Sequence, residues 1–372
     1  MSATNPLLRA RALGQSIWLD YIRRDMLLDG TLARLIRDDG LGGMTSNPAI
    51  FEKAIAHGDD YDAAIAALAS THDAESLYEA IAIEDVQTAA DAFSGSYRET
   101  RCRDGYVSLE VSPHLADDTD RTIDAARRLW SRVARPNVMI KVPGTRAGLP
   151  AITQLIADGI NVNVTLLFSV ERYGAVADAW LAGLETRARM ERPLDTVASV
   201  ASFFLSRIDT LVDERLDALA ADDANATRLR GHAAIASARL AYQRFKEWRE
   251  SERWRLLAER SALPQRLLWA STSTKDPRYP DVMYVDALVG PETVNTVPVE
   301  TLEAYRDHGD PQIRIEDALD AARELPGRLA ALGVDLERVA QELERQGVAK
   351  FVKPYDSLLS AIEKQRAAVL GD

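Results

Sequence analysis

Eight short apolar runs separated by stretches of helical spacing constrain this chain more than any other feature. The runs are SIWLDY, GGMTSNP, YVSLEVSP, VMIKVPGT, NVNVTLLFS, VASVASFFLSR, LLWASTSTK and MYVDALVG. Between most of them, apolar residues recur on one helical face, as in Ile123, Ala126, Leu129, Trp130 and Val133, or Leu149, Ile152, Leu155 and Ile156. Strands alternating with amphipathic helices build βα units on a parallel sheet. Eight such units predict an α/β chain folded as one closed (β/α)₈ TIM barrel. A doubly wound open sheet is the competing architecture, but no G-x-G-x-x-G follows the first run.

In such a barrel the active site lies at the C-terminal ends of the strands. Each run carries polar residues there: Asp20; Thr45, Ser46 and Asn47; Glu110; Lys141; Asn163 and Thr165; Ser202 and Arg207; Ser271 and Lys275; Asp286. Lys141 is the most telling of these. Its neighbours in VMIKVPGT describe a strand buried on both faces, where an ammonium is disfavoured and the amine becomes a nucleophile for carbonyl chemistry. Every one of these positions also has a purely structural reading. Lys141 can snorkel from a strand end or pair with an acid. Asp20 can cap the next helix, Glu110 can pair with an arginine, and Ser-Asn-Pro at Asn47 is a common turn before a helix. Asn163 and Thr165 can satisfy backbone groups, and Ser202 can simply pack. Only their joint occurrence points to a site.

At 372 residues and 47% hydrophobic, the chain can bury a large core as a single domain spanning 1–372. Within it the pattern places an N-terminal helix, a helical insertion around 212–262 and a C-terminal helix. The opening residues hold no signal-peptide-like apolar stretch, and no run approaches the roughly 18 residues of a membrane span, so a cytoplasmic, membrane-free protein is expected. The one cysteine, Cys102, rules out an intrachain disulfide and a thiolate metal site. The five histidines, His114 among them, show no metal-ligand spacing, and GTRAG after Lys141 lacks the ending of a phosphate loop.

A net charge of −12 argues against nucleic acid and anionic membranes as partners. It also requires local cations if the substrate is a phosphate ester, and Arg207 and Lys275 are the candidates. The basic, aromatic segment from Ser237 to Glu259 reads as one long barrel-flanking helix rather than an RNA-binding element, because glutamates intersperse it. The tail KFVKPYDSLLSAIEKQRAAVL reads as a loop followed by a helix with Leu358, Leu359, Ile362 and Val369 on one side.

The blocks SIWLDYIRR, GMTSNPAIFEKAI, SLEVSPHLA, VMIKVPGT, GINVNVTLLFS and SVASFFLSRID, with LLWASTSTKDP and DALVGPETVNTVP further on, resemble transaldolase in its longer bacterial form. The resemblance implies a cofactor-free, metal-free Schiff-base transferase of the non-oxidative pentose phosphate pathway. Such enzymes move a dihydroxyacetone unit from sedoheptulose 7-phosphate to glyceraldehyde 3-phosphate, giving erythrose 4-phosphate and fructose 6-phosphate. Carried over by motif, Lys141 forms the Schiff base and Asp20 handles the sugar hydroxyl proton during cleavage. Glu110 acts through a water that Thr165 helps to hold. Asn47, Asn163 and Ser202 bind the three-carbon unit, and Arg207 and Ser271 bind phosphate. The family's final helix leans over the barrel mouth, which would bring Phe351 and Tyr355 to the site. The resemblance leaves monomer and homodimer both open.

Two departures qualify the pattern. Ser273 stands where the shorter branch has a second phosphate-binding arginine, leaving Lys275 or Arg278 as the replacement. A lyase branch that cleaves fructose 6-phosphate shares the strand lysine but tends to carry glutamine and tyrosine at the positions of Glu110 and Phe204. The chain thus leans to transfer, with that lyase, or a catalytically silent sugar-phosphate-binding protein, as the alternatives.

Overall fold

The computed structural model describes residues 5–219 and 226–371. Eight parallel strands close into one barrel: β1 Gln15–Asp20, β2 Gly43–Thr45, β3 Tyr106–Glu110, β4 Val138–Pro143, β5 Val162–Leu167, β6 Ser199–Phe204, β7 Arg266–Ala270 and β8 Thr293–Val297. β1 pairs with both β2 and β8, which completes the ring. Helices surround the barrel, so its strands are buried on both faces, as their apolar composition requires.

Seven runs become strands where expected; the eighth does not. MYVDALVG forms a short helix, Met283–Ala287, and β8 is the TVNTV segment beyond Pro291. The buried residues Tyr284, Val285 and Leu288 are spaced for a helical turn, whereas Thr-Val-Asn-Thr-Val is β-branched and follows a Gly-Pro break. Asp286 accordingly leaves the list of site candidates, since it accepts a hydrogen bond from the Asp310 backbone N–H (3.0 Å) on a neighbouring loop.

The barrel floor is polar and closed. Arg266 Nη2 lies 3.1 Å from Asp104 Oδ1, which also accepts from Trp18 Nε1 at 3.0 Å. Gly43 makes room for Trp18, because a Cβ there would stand 2.7 Å from the indole. Above this floor the register aligns side chains across strands: Glu110 pairs with Lys141, Lys141 with Asn163, and Asp20 with Thr45. Residues paired in a parallel sheet share a face, so this register sets the carboxylate beside the lysine.

The Ser237 to Glu259 segment divides into two helices, Ala233–Glu250 and Glu252–Ala258. Ser251 makes the break, its Oγ accepting the Trp254 N–H as an N-cap. Trp248 and Trp254 then enclose Trp180 of the helix Val170–Arg189, with ring centroids 5.0 and 5.4 Å away. These aromatics therefore build the outer layer.

The tail contains no loop at KFVKPYDS. One helix, Leu336–Leu370, runs through Pro354. An interior proline costs about 3 kcal/mol. The buried stripe Phe351, Tyr355, Leu358 and Ile362 offsets this at about 1.5–3 kcal/mol for each fully buried large apolar side chain. This helix packs against the helices Pro48–His57 and Ala74–Glu99, while Val369 is exposed. Gly347 lets the same helix approach the end of β5, where an added Cβ would lie 3.1 Å from Leu166.

Candidate active site

A cavity of about 400 Å³ opens at the C-terminal ends of the strands. Asp20, Asn47, Lys141, Thr165, Ser202, Arg207, Ser271 and Lys275 all line it. Eight of the ten residues to which the sequence assigns a catalytic or binding role thus meet in one space. The other two, Glu110 and Asn163, stand just behind its wall.

Lys141 rises from the middle of β4 with only 6% of its side chain exposed. Its Nζ donates to the Ser46 carbonyl at 3.2 Å and sits 3.7 Å from Glu110 Oε2. The Phe351 ring of the closing helix covers it, 5.4 Å from Nζ to the centroid. No other carboxylate of the described residues pairs with this amine within 4 Å.

Glu110, at the end of β3, is 7% exposed, and its Oε2 lacks a close hydrogen-bond donor among the described residues. Burial pushes its carboxyl up to about 7; Lys141 opposes that rise and the charge of Asp20 adds to it. A carboxyl poised there exchanges a proton readily at neutral pH.

Asp20 closes β1 with Oδ1 accepting from Thr45 Oγ1 at 2.7 Å, and that hydroxyl lies 2.8 Å from Thr296 Oγ1. It is thus held from the side and not engaged as a helix cap. Asn47 serves two ends at once: it lines the cavity, and its Oδ1 caps the helix Pro48–His57 by accepting the Ile50 N–H at 3.2 Å. Asn163 is fully buried one step below the cavity. Its Nδ2 donates to Ser108 Oγ at 3.0 Å, and its Oδ1 accepts from Ser202 Oγ at 2.6 Å. Thr165 Oγ1 is buried without a hydrogen-bond partner among the described residues, so it has free capacity toward a bound molecule.

The far side of the cavity is cationic. Arg207 lies over the Phe204 ring (5.3 Å) and near that of Phe351 (5.9 Å), and its buried Nη1 has no hydrogen-bond partner among the described residues. Burial lowers its pKa, and the charge of Asp20 acts the other way. An underused guanidinium donor facing a polar cavity suits an anion. Ser271 stands beside it in a left-handed backbone conformation (φ +55°), its Oγ 2.8 Å from Ser206 Oγ. A serine there is strained, as residues at functional mouths often are.

Lys275 lines the cavity and donates to Ser273 Oγ at 2.6 Å, whereas Arg278 turns away to chelate Asp276 with Nε at 2.9 Å from Oδ1. Of the two candidate cations, Lys275 is the one at the mouth. Sequence reading missed Thr296, Lys53 and Lys350, which also line the cavity. Thr296 was hidden by the misplaced eighth strand. Lys53 and Lys350 are exposed helix lysines with no sequence signature of their own.

Comparison with known proteins accords with this arrangement. Residues 17–362 match the family described as transaldolase/fructose-6-phosphate aldolase. A protein named transaldolase from Thermobifida fusca is 49% identical over 366 residues, covering 98% of this chain and 99% of that one. A transaldolase from Trichodesmium erythraeum is 46% identical over 371 residues (97% and 98%), and one from Thiobacillus denitrificans is 48% identical over 351 residues (94% and 97%). With a barrel lysine, Asp20 and a cationic mouth in one cavity, Glu110 just behind its wall, and a match over nearly its whole length, this chain belongs to the transaldolase/fructose-6-phosphate aldolase family.

Proposed function

We propose that the chain is a transaldolase, transferring a dihydroxyacetone unit from sedoheptulose 7-phosphate to glyceraldehyde 3-phosphate through an imine on Lys141. The observation that carries this reading is the buried Lys141–Glu110 pair, 3.7 Å apart, behind a cavity that also presents Asp20 and Arg207. Lys141 attacks the ketose carbonyl to give a carbinolamine. Glu110, protonated in a substantial fraction near pH 7, supplies the proton with which the hydroxyl leaves as water, through a water molecule that Thr165 helps to hold. The resulting iminium is an electron sink. Asp20 takes the C4 hydroxyl proton, the C3–C4 bond breaks, and the bonding pair enters the enamine while the aldehyde departs.

The retained three-carbon enamine has no phosphate, so neutral groups must hold it. Asn47 and Ser202 face it, and Asn163 acts from below by fixing Ser202. Arg207, Ser271 and Lys275 receive the phosphate of the donor and then of the acceptor. Phe351 keeps water from the enamine. Glu110 and Phe204, at positions where the lyase branch tends to carry glutamine and tyrosine, support transfer over simple cleavage. The reading needs no cofactor, and the cytoplasm, where these phosphorylated sugars are made and used, is the setting it implies. No helix of the described residues is long and apolar enough to cross a membrane.

The test is to supply fructose 6-phosphate with and without erythrose 4-phosphate. Transfer predicts sedoheptulose 7-phosphate only when the acceptor is present, and little free dihydroxyacetone without it. Steady release of dihydroxyacetone in the absence of acceptor would establish the lyase instead.

A further inference from the structure

Glu110 stands between two cavities. On one side it meets Lys141; on the other it borders a separate space of about 510 Å³. Among the described residues the two cavities share no lining residue. The second is walled by apolar residues such as Leu109 and Leu129 and by the polar groups of Glu75, Tyr78, Ser112 and Tyr355, which give water hydrogen-bond partners.

The chemistry creates a need for such a space. While Lys141 dehydrates its carbinolamine, the mouth is filled by a sugar phosphate on Arg207 and Lys275 and roofed by Phe351. Water arriving through the mouth would also protonate the enamine. We propose that the second cavity is a solvent and proton path to the rear of Glu110, with Tyr355 as a positioning residue within it. The proposal rests on Lys141 being the imine former. In the step it serves, the C2–O bond of the carbinolamine breaks and the hydroxyl takes the Glu110 proton and leaves as water. The nitrogen lone pair forms the C=N bond, leaving an iminium and the Glu110 carboxylate. The cavity then returns a proton to that carboxylate.

Its geometry suits a relay. The Tyr355 hydroxyl donates to Glu75 Oε1 at 3.0 Å, toward the surface. The Tyr78 ring packs edge-on against that of Tyr355, with centroids 5.7 Å apart. Burial, with the nearby charges of Tyr355 and Glu110, pushes the Tyr78 hydroxyl well up, so it stays protonated and able both to donate and to accept.

The experiment measures ¹⁸O exchange from H₂¹⁸O into C2 of fructose 6-phosphate, which requires imine formation and hydrolysis but no C–C cleavage. The whole chain is compared with K141A as background, with A125F, which fills the second cavity, and with Y355F, which removes only a hydroxyl. Competition by inorganic phosphate reads the mouth independently. The path predicts that both variants slow exchange on the order of tenfold, a part of what general acid–base catalysis supplies, with inorganic phosphate inhibition unchanged. Exchange at the parent rate overturns the path, and so does slowing matched by a proportional loss of phosphate affinity, which marks a distorted barrel. Should A125F not fold, Y355F decides. If the parent itself exchanges no faster than K141A, the imine reading fails and the path falls with it.

Discussion

Lys141 Nζ and Glu110 Oε2 lie 3.7 Å apart, each side chain less than a tenth exposed, on adjacent strands whose register pairs the two residues directly. Charges this buried are costly unless they serve each other or the chemistry. With its carboxyl near 7, Glu110 is, in the mechanism proposed, the proton donor below that pH and loses the role as pH rises through it. The dehydration rate should therefore fall across about pH 7. E110Q should lower turnover by roughly 10²–10⁴-fold and abolish that limb of the pH profile, measured as the single-turnover rate of borohydride-trappable imine.

Asp20, held by Thr45 on its flank and open to the cavity, enters at a later step of the mechanism proposed. D20N should still form the imine but fail to cleave it, with transfer down by roughly 10²–10⁴-fold. Mass analysis after borohydride should then find the intact six-carbon ketose phosphate on the protein. A three-carbon adduct at the parent rate would assign the C4 proton to another base.

The three cations beyond β6 and β7 should separate cleanly. R207Q removes a buried donor without a protein partner and should cost about 1.5–3 kcal/mol of phosphate binding, or roughly 10- to 150-fold in kcat/KM. K275Q, more exposed, should raise KM by a smaller factor that shrinks further in high salt. R278Q should do neither, because Arg278 is spent on Asp276 and does not line the cavity. Steady-state kinetics against fructose 6-phosphate at two ionic strengths checks all three.

Phe351 lies against both Lys141 and Arg207, so the closing helix covers the lysine and the guanidinium together. F351A should admit water to the enamine and raise free dihydroxyacetone relative to transfer by up to about tenfold, the equivalent of 1.4 kcal/mol. Assaying both products in one reaction gives the ratio directly.

Much of this was legible in the sequence because a parallel barrel writes itself as repeated apolar runs, and a site at its mouth writes itself as polar residues at their ends. Asp20, Lys141, Thr165 and Ser202 were found that way, and the structure gathers them. The eighth strand was not legible, because one apolar run imitates another element. MYVDALV is apolar enough for a strand, yet its buried positions follow a helical turn, and the true strand TVNTV is too polar to stand out. Pro354 misled in the opposite sense, because long-range packing of Phe351, Tyr355 and Leu358 outweighs a local helix breaker. Depth was also hidden. Sequence puts Asn163 and Thr165 on the same face of β5, but only coordinates show Asn163 locked between Ser108 and Ser202 while Thr165 stays free.

The most direct measurement is borohydride reduction of the protein in the presence of fructose 6-phosphate, followed by peptide mass mapping. An imine on Lys141 predicts one three-carbon adduct, on the peptide containing that lysine, with inactivation in proportion to labelling. An adduct on Lys53, Lys275 or Lys350 instead, or none in a protein that still transfers, would contradict it.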